Sequence, residues 1–309
     1  MKEIIINKND ANQRLDKFLT KYMPKIPQSM LYKGLRKNCV RINGKHAKKG
    51  DVTLREGDIL TLYFKDEFFE SKKKFVPVKS DLNIVYEDEN IILINKEAGT
   101  VVHADDKGTE NTLINRVLSY LFEKGEYDPE NEHSFSPALC NRLDRNTEGI
   151  IIAAKNAETL RIINEKIKNR EIKKLYLCVA EGCIENEGVL EAYLTRGDKI
   201  VSVSDKASPD AKLIKTKYRV ISKNAVSSLL EVELLTGRTH QIRAQLSAIG
   251  YPLAGDVKYG AKKAEGGYSL CSYKLIFDFK SDAGILNYLT GKAFSISVKF
   301  AESFLSTNS

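Results

Sequence analysis

The chain has 309 residues, 42% hydrophobic and 29% charged, the make-up of an ordinary globular protein with room for two domains. Four scattered histidines and five cysteines without a CxxC pair leave no zinc spacing, no apolar run could span a bilayer, and the start turns polar too soon for a signal peptide. A cytoplasmic protein with reduced thiols and no metal is expected. Net charge is +8, yet residues 1–65 hold 15 Lys and Arg against 6 Asp and Glu, and the remainder holds 34 against 35. The basic excess is confined to the first fifth, the pattern of a polyanion-binding module on a near-neutral body.

Leu15, Phe18, Leu19 and Tyr22 fall at helical spacing, and Pro24 and Pro27 end that helix. Ser29 is placed to cap a second helix, with Leu31 and Leu35 inward and Lys33, Arg36 and Lys37 outward. Val40-Arg41-Ile42 alternates as a strand and runs into Asn43-Gly44, a strong hairpin signal, with Lys45 beyond it. Gly57-Asp58 and residues 59–64 supply another turn and strand. Residues 66–80 read as a charged, extended, solvated linker, and the body is assigned to 81–304 with a tail at 305–309.

In the body, 84–86 and 91–94 are strands joined by a polar turn. Leu113, Val117, Leu121 and their neighbours make one apolar helical stripe, followed by a polar surface loop at 123–137 in which His133 is solvated. Asn156 caps a helix with Leu160, Ile163 and Ile167 inward; Lys166, Lys168, Arg170, Lys173 and Lys174 lie outward, open to RNA or solvent alike. Strands are expected at 175–180, 189–194, 213–221, 229–235, 274–279 and 294–300. Many strands with few helices argue for an α+β protein with a mixed, mainly antiparallel sheet. P-loop and GxGxxG patterns are absent, so no nucleotide cofactor is expected.

Two stretches carry chemistry. In Asn141-Arg142-Leu143-Asp144-Arg145-Asn146-Thr147-Glu148-Gly149 one carboxylate stands between guanidiniums, directly before a buried strand, Ile150-Ile151-Ile152-Ala153-Ala154. Flanking guanidiniums favour the ionised carboxylate that a nucleophile or general base needs. Gly149 permits a tight turn or a close backbone approach. A plain surface turn fits the same residues. In Thr236-Gly237-Arg238-Thr239-His240-Gln241-Ile242-Arg243 a strand ends, Thr239 is placed to cap a helix, and Arg243 falls in its first turn. A cation there is unhelpful to the helix dipole, so an anionic partner is expected, with Asp144 in a bidentate pair as the candidate.

The first stretch resembles the signature of the RluA-type pseudouridine synthases, usually H-R-L-D-x-x-T-S-G. The second resembles that family's other long motif and continues through Gly250-Tyr251-Pro252-Leu253-Ala254-Gly255-Asp256 to Tyr259-Gly260. Lys174-Leu175-Tyr176 with Glu181-Gly182, and the segment from Lys96 to His103, match two further motifs. Arg14-Leu15-Asp16, Ser29, Val40 to Lys45 and Gly57-Asp58 resemble an S4 RNA-binding domain over residues 1–65. The departures are Asn141, where the family usually has His, and Glu148, where Ser or Ala is usual.

The resemblance implies a pseudouridine synthase domain behind an S4-type module that binds structured RNA through Arg14, Lys33, Arg36, Lys37, Arg41 and Lys45. It implies isomerisation of uridine to pseudouridine after the base is flipped. Asp144 would be the catalytic carboxylate, Arg142 the residue that fills the vacated place, Tyr176 the group against the base, and Arg243 the residue that holds Asp144. No cofactor or metal is needed. The implied substrate is 23S (large-subunit) ribosomal RNA or an assembling large subunit, with transfer RNA as the alternative, and the implied state is a monomer. A non-catalytic RNA-binding or assembly factor would keep the fold without the chemistry. A metal-dependent phosphoesterase would need carboxylates or histidines clustered about Asp144, and only Glu148 is near in sequence.

Overall fold

The computed structural model describes residues 1–69, 75–104, 109–197, 200–263 and 267–307. It opens with a strand outside the sequence reading, β1 (Lys2–Ile5), followed by α1 (Leu15–Tyr22), α2 (Gln28–Arg36), β2 (Val40–Ile42), β3 (Lys45–His46) and β4 (Ile59–Leu62). The strands form one sheet in the order β1-β4-β2-β3. Leu15, Phe18 and Leu19 of α1 and Leu31 and Leu35 of α2 are buried against Val40, Leu60 and Leu62 of that sheet. Each such side chain contributes about 1.5–3 kcal/mol. Asn43 and Gly44 take φ of 49° and 76°, the double positive φ of the hairpin turn expected there. Ser29 does not cap α2. The helix starts at Gln28, directly after Pro27, whose φ of −61° already sets the chain's entry, and no side chain bonds its first turn.

The stretch after the module is fastened at both ends of its undescribed part, while Val76, Pro77 and Lys79 are exposed. Phe69 is buried with the module core, with Lys2 Nζ 4.1 Å from its ring centroid. Phe75 packs on Phe122 and Tyr127, and the Val78 N–H donates to Ser119 Oγ at 2.8 Å. The apolar residues scattered through the charge, Phe69 and Phe75, find partners at both ends. The basic run at 72–74 lies outside the described residues.

The body begins with β5 (Ile84–Glu87), β6 (Ile91–Lys96), α3 (Leu113–Glu123), β7 (Ala138–Leu139), β8 (Glu148–Ala154) and α4 (Ala157–Lys168). It continues with β9 (Ile172–Glu181), β10 (Gly188–Arg196), β11 (Val201–Ser204), β12 (Lys212–Lys223), β13 (Ser227–Leu234), α5 (Gln241–Ala248), β14 (Leu270–Phe277), β15 (Ala293–Ser295) and α6 (Lys299–Ser306). One 11-stranded sheet runs β11-β10-β12-β13-β9-β14-β8-β6-β5, with β15 on β14 and β7 on β8. Its pairings are antiparallel except β14 with β8. β8 is apolar from Ile150 to Ala154 because both its faces are covered there. Ile151 and Ala153 pack with Val117 of α3 and Ile242 of α5, while Ile150 and Ile152 pack with Ile163 of α4. Gly149 opens the strand at φ +118°, where its pairing with Ser272 brings the neighbouring backbone so near that a Cβ would overlap it. Close approach is therefore what the glycine provides.

Three expectations for the body change. Lys166 is buried, not outward, with Nζ 2.8 Å from Glu171 Oε2 and further bonds to Ser281. Residues 299 and 300 start α6 instead of finishing a strand, so 305 and 306 are helical as well. The loop at 123–137 is no plain surface loop. Asn9 Nδ2 donates to Glu132 Oε1 at 2.7 Å, Gln13 Nε2 to Ser134 Oγ at 2.7 Å, and the Ser134 N–H and hydroxyl both donate to Asp10 Oδ1. His133 sets its ring edge against Tyr22 at 5.8 Å. These polar residues make a seam between module and body, tied to the start of α4 by the Ala157 N–H donating to Asn9 Oδ1. Hydrogen-bonding partners on another element carry no periodicity, which is why sequence spacing left them in solvent.

Candidate active site

Asp144 sits in the loop that leads into β8, and that loop is pinned at three places. Asn141 is buried, its Oδ1 accepting the Ile152 N–H at 2.8 Å. The Arg145 carbonyl accepts from Lys96 Nζ at 2.8 Å and from the Gly99 N–H at 2.9 Å. Thr147 meets the Tyr268 hydroxyl at 3.2 Å and donates its N–H to the Asp144 carbonyl. Lys96 lies under the loop, almost wholly buried, and also bonds the carbonyls of Glu97 and Thr100. Burial pushes its pKa down to about 8, while the charges of Glu148 and Asp144 pull the other way. A rigid loop ending in a partly exposed acid is what results.

The expected bidentate bond between Arg243 and Asp144 is corrected. Arg243 gives Nε and Nη2 to Asp256, at 2.6 and 2.8 Å, and only Nη1 to Asp144 Oδ2, at 3.2 Å. Its guanidinium lies 4.2 Å from the Tyr268 ring centroid and 5.0 Å from that of Tyr259. Burial opposes its charge, but the bond to Asp256 and the nearby negative charges outweigh that and raise its pKa above the ordinary value. Thr239 does not cap α5. His240 takes the cap position in a left-handed conformation, φ 56°, without a side-chain capping bond. Its Nδ1 is 2.8 Å from the Tyr259 hydroxyl, and its Nε2 is 3.6 Å from Asp144 Oδ2. Among the described residues Asp144 Oδ1 has no hydrogen-bond partner.

Asp144, Arg243 and His240 face a cleft of about 960 Å³ whose lining includes Tyr176, Arg142 and Lys174. Alternation along β9 brings Lys174 and Tyr176 to the same side. Burial raises the Tyr176 phenol to about 12, with the charge of Asp144 adding to it, so the hydroxyl keeps its proton. Burial, and then the charge of Arg170, lowers the Lys174 pKa. Arg142 is exposed at the mouth and forms no hydrogen bond or ion pair among the described residues. The four expected residues Asp144, Arg142, Tyr176 and Arg243 thus line one cleft. Asp256, Tyr259 and Tyr268 stand behind its lining as partners of Arg243 and His240. The second motif took in Asp256 and Tyr259 without a role, and spacing alone gave none to any of the three, since each acts through a partner distant in sequence.

The module residues behave differently from one another. Lys33, Arg36, Lys37 and Lys45 are exposed, and their side chains have no bonded partner among the described residues. Arg41 lies 5.5 Å from the Tyr63 ring centroid. Arg14 is taken up by Asp16, at 3.1 and 2.5 Å, and Asp16 also accepts from Tyr32. No helix among the described residues is long and apolar enough to cross a membrane, and they hold no group of three His, Cys, Asp or Glu able to take a metal.

A family model described as RNA pseudouridylate synthase matches residues 90–248, half of the chain, including Asp144, Tyr176 and Arg243. The chain belongs to that family. This synthase is 32% identical over 288 residues to an uncharacterized RNA pseudouridine synthase of Mycoplasma genitalium, covering 89% of this chain and 88% of the relative. It is 30% identical over 275 residues to the ribosomal large subunit pseudouridine synthase C of Escherichia coli, covering 85% and 81%. With the ribosomal large subunit pseudouridine synthase D of Nitrosomonas europaea it shares 31% over 259 residues, covering 84% and 72%. The solved human RNA pseudouridylate synthase domain containing 4 has the same fold, with a TM-score of 0.55 at 22% identity over 70% of this chain and 88% of that one. The protein is therefore an isomerase acting on RNA.

Proposed function

We propose that this synthase converts uridine to pseudouridine in large-subunit ribosomal RNA, with Asp144 as the catalytic carboxylate. The observation that carries the reading is the state of that carboxylate. One oxygen is bonded by Arg243, itself clamped by Asp256, and the other has no partner among the described residues at the wall of an open cleft. A stacked uracil cannot reach such a group, so the base is extruded at a cost of about a few kcal/mol. Arg142, exposed at the cleft mouth and unbonded among the described residues, takes the vacated place, where its plane can stack on bases and bond phosphate. Asp144 then acts on the sugar, by attack at C1′ or removal of the C2′ proton, and the N-glycosidic bond breaks. The uracil turns and reattaches through C5, whose proton leaves toward N1. Tyr176 lies beside the base during that transfer. Product and substrate have the same atoms, so neither oxidant nor co-reactant enters.

The substrate class rests on two supports. Relatives of similar length are named as large-subunit ribosomal synthases. The exposed cations Lys33, Arg36, Lys37 and Lys45 of an S4-type module suit the phosphates of a folded RNA. The test incubates the protein and Asp144→Asn with unmodified ribosomal RNA and maps pseudouridine by carbodiimide-dependent reverse-transcription stops. Stops that appear with the parent alone are expected. Stops on transfer RNA only would move the substrate, and equal stops with Asp144→Asn would remove the carboxylate from the mechanism.

A further inference from the structure

One group in the cleft has no part in the chemistry above. His240 holds a left-handed backbone, φ 56°, which a residue with a Cβ adopts at a cost and which persists where the surroundings enforce it. Those surroundings also favour one tautomer. Among the described residues the Tyr259 hydroxyl meets only the Val201 N–H, which it accepts at 3.4 Å, and His240 Nδ1 at 2.8 Å, so the imidazole nitrogen is the acceptor open to its O–H. A neutral imidazole that accepts at Nδ1 carries its hydrogen on Nε2. That hydrogen faces Asp144 Oδ2, from a nitrogen 3.6 Å distant. The gap is too wide for a direct hydrogen bond and suits a third polar atom touching both. It opens on the cleft, with the Asp144 side chain 25% exposed and that of His240 17%.

We propose that His240 donates its Nε2–H to the 2′-hydroxyl of the target nucleotide, so that the site reads the sugar as ribose. The assignment rests on the reading of Asp144 as the carboxylate that acts at C1′ or C2′. The substrate hydroxyl next to those carbons is then the group delivered beside Oδ2. A 2′-hydroxyl both donates and accepts. It accepts from His240 and donates to Asp144 Oδ2, while Oδ1 stays directed at carbon. A 2′-deoxynucleotide covers the N–H and the carboxylate without supplying that bridge. Tyr259, which holds the imidazole in the donating tautomer, is a positioning residue.

The test uses the full chain and a short RNA stem-loop around the modified uridine found by carbodiimide mapping, made with uridine or with 2′-deoxyuridine at that single position. Each competes with a labelled RNA of the same sequence containing pseudouridine. The parent is expected to bind the ribo form at least about tenfold more tightly than the deoxy form, a typical margin for one unpaired buried polar group. His240→Phe, which keeps a ring without a donor, is expected to bring the ratio within twofold. His240→Gln, which returns an N–H near the Nε2 position, is expected to restore most of it. Tyr259→Phe is expected to fall between, and gives the same answer if His240→Phe fails to fold. Lys33→Ala is expected to weaken both forms equally. A ratio unchanged in His240→Phe or, failing that, in Tyr259→Phe overturns the assignment to His240. An Asp144→Asn variant that still forms pseudouridine overturns the reading beneath it instead.

Discussion

Arg243 gives two nitrogens to Asp256 and one to Asp144, so the acid in the cleft is held by a guanidinium that another, fully buried acid already neutralises. The two carboxylates therefore have different duties. Asp256 is the counterion that lets Arg243 be buried, and Asp144 is the group that Arg243 orients.

Replacing either acid separates those duties. Asp256→Asn leaves a buried cation without its main partner, a change that costs about 3–5 kcal/mol in stability. Asp144→Asn leaves the Arg243–Asp256 pair intact and is expected to change the urea midpoint little while abolishing pseudouridine formation. Urea titrations of the two variants check this, and equal destabilisation by both would contradict it.

Asn141 stands where related sequences usually carry His, and its Oδ1 serves the backbone of β8. Asn141→His can present a ring nitrogen to the same N–H and is expected to keep activity within about threefold, since lost bonds of this kind cost about 1–3 kcal/mol and this one is retained. Asn141→Leu leaves the Ile152 N–H buried without an acceptor and is expected to lose about 1–3 kcal/mol. Paired activity and denaturation measurements distinguish a backbone role from an imidazole role.

The exposed cations of the module are expected to act additively on RNA affinity. Each of Lys33→Ala, Arg36→Ala, Lys37→Ala and Lys45→Ala that removes a phosphate contact should lower the slope of log affinity against log salt by about 0.7–0.9. Arg14→Ala is expected to lower the melting temperature more than the slope, because Asp16 already occupies its guanidinium. Filter binding at several salt concentrations reads both.

Acid stability follows from the buried Lys166–Glu171 pair. The bond from Lys166 first, and then the Lys280 N–H, hold the Glu171 carboxyl down at about 2, from an ordinary 4.5. A folded value below the unfolded one means that the unfolded chain binds the extra proton in acid. The contribution is then complete above about pH 4.5 and fades as the pH falls towards about 2. Glu171→Gln removes that slope, so urea midpoints of parent and variant should draw together as the pH falls from about 5 towards about 2.

Much of this was legible in the residues themselves. The apolar run after Gly149 marked a strand covered on both faces, and the stripe from Leu113 to Phe122 marked α3. Asp144, Arg142, Tyr176 and Arg243 could be named because order along the chain carries the motif that relates them. What remained hidden were pairings between distant residues. Lys166 sits on a helix where spacing puts it outward, and only Glu171 and Ser281 folding over it bring it inside. Phe69 and Phe75 looked like interruptions in a charged linker until cores at either end received them.

The sequence by itself determined most of the elements, though not such elements as β1, β11 and α6, because side-chain period and backbone chemistry are local. It also determined which acid and which cations belong to the cleft, because they travel in recognisable strings. Only the tertiary structure decided that Asp256 is the bidentate partner of Arg243, and that His240 meets Tyr259 through Nδ1 while its Nε2 faces Asp144. Those are choices among chemically equivalent partners, and distance in three dimensions makes them.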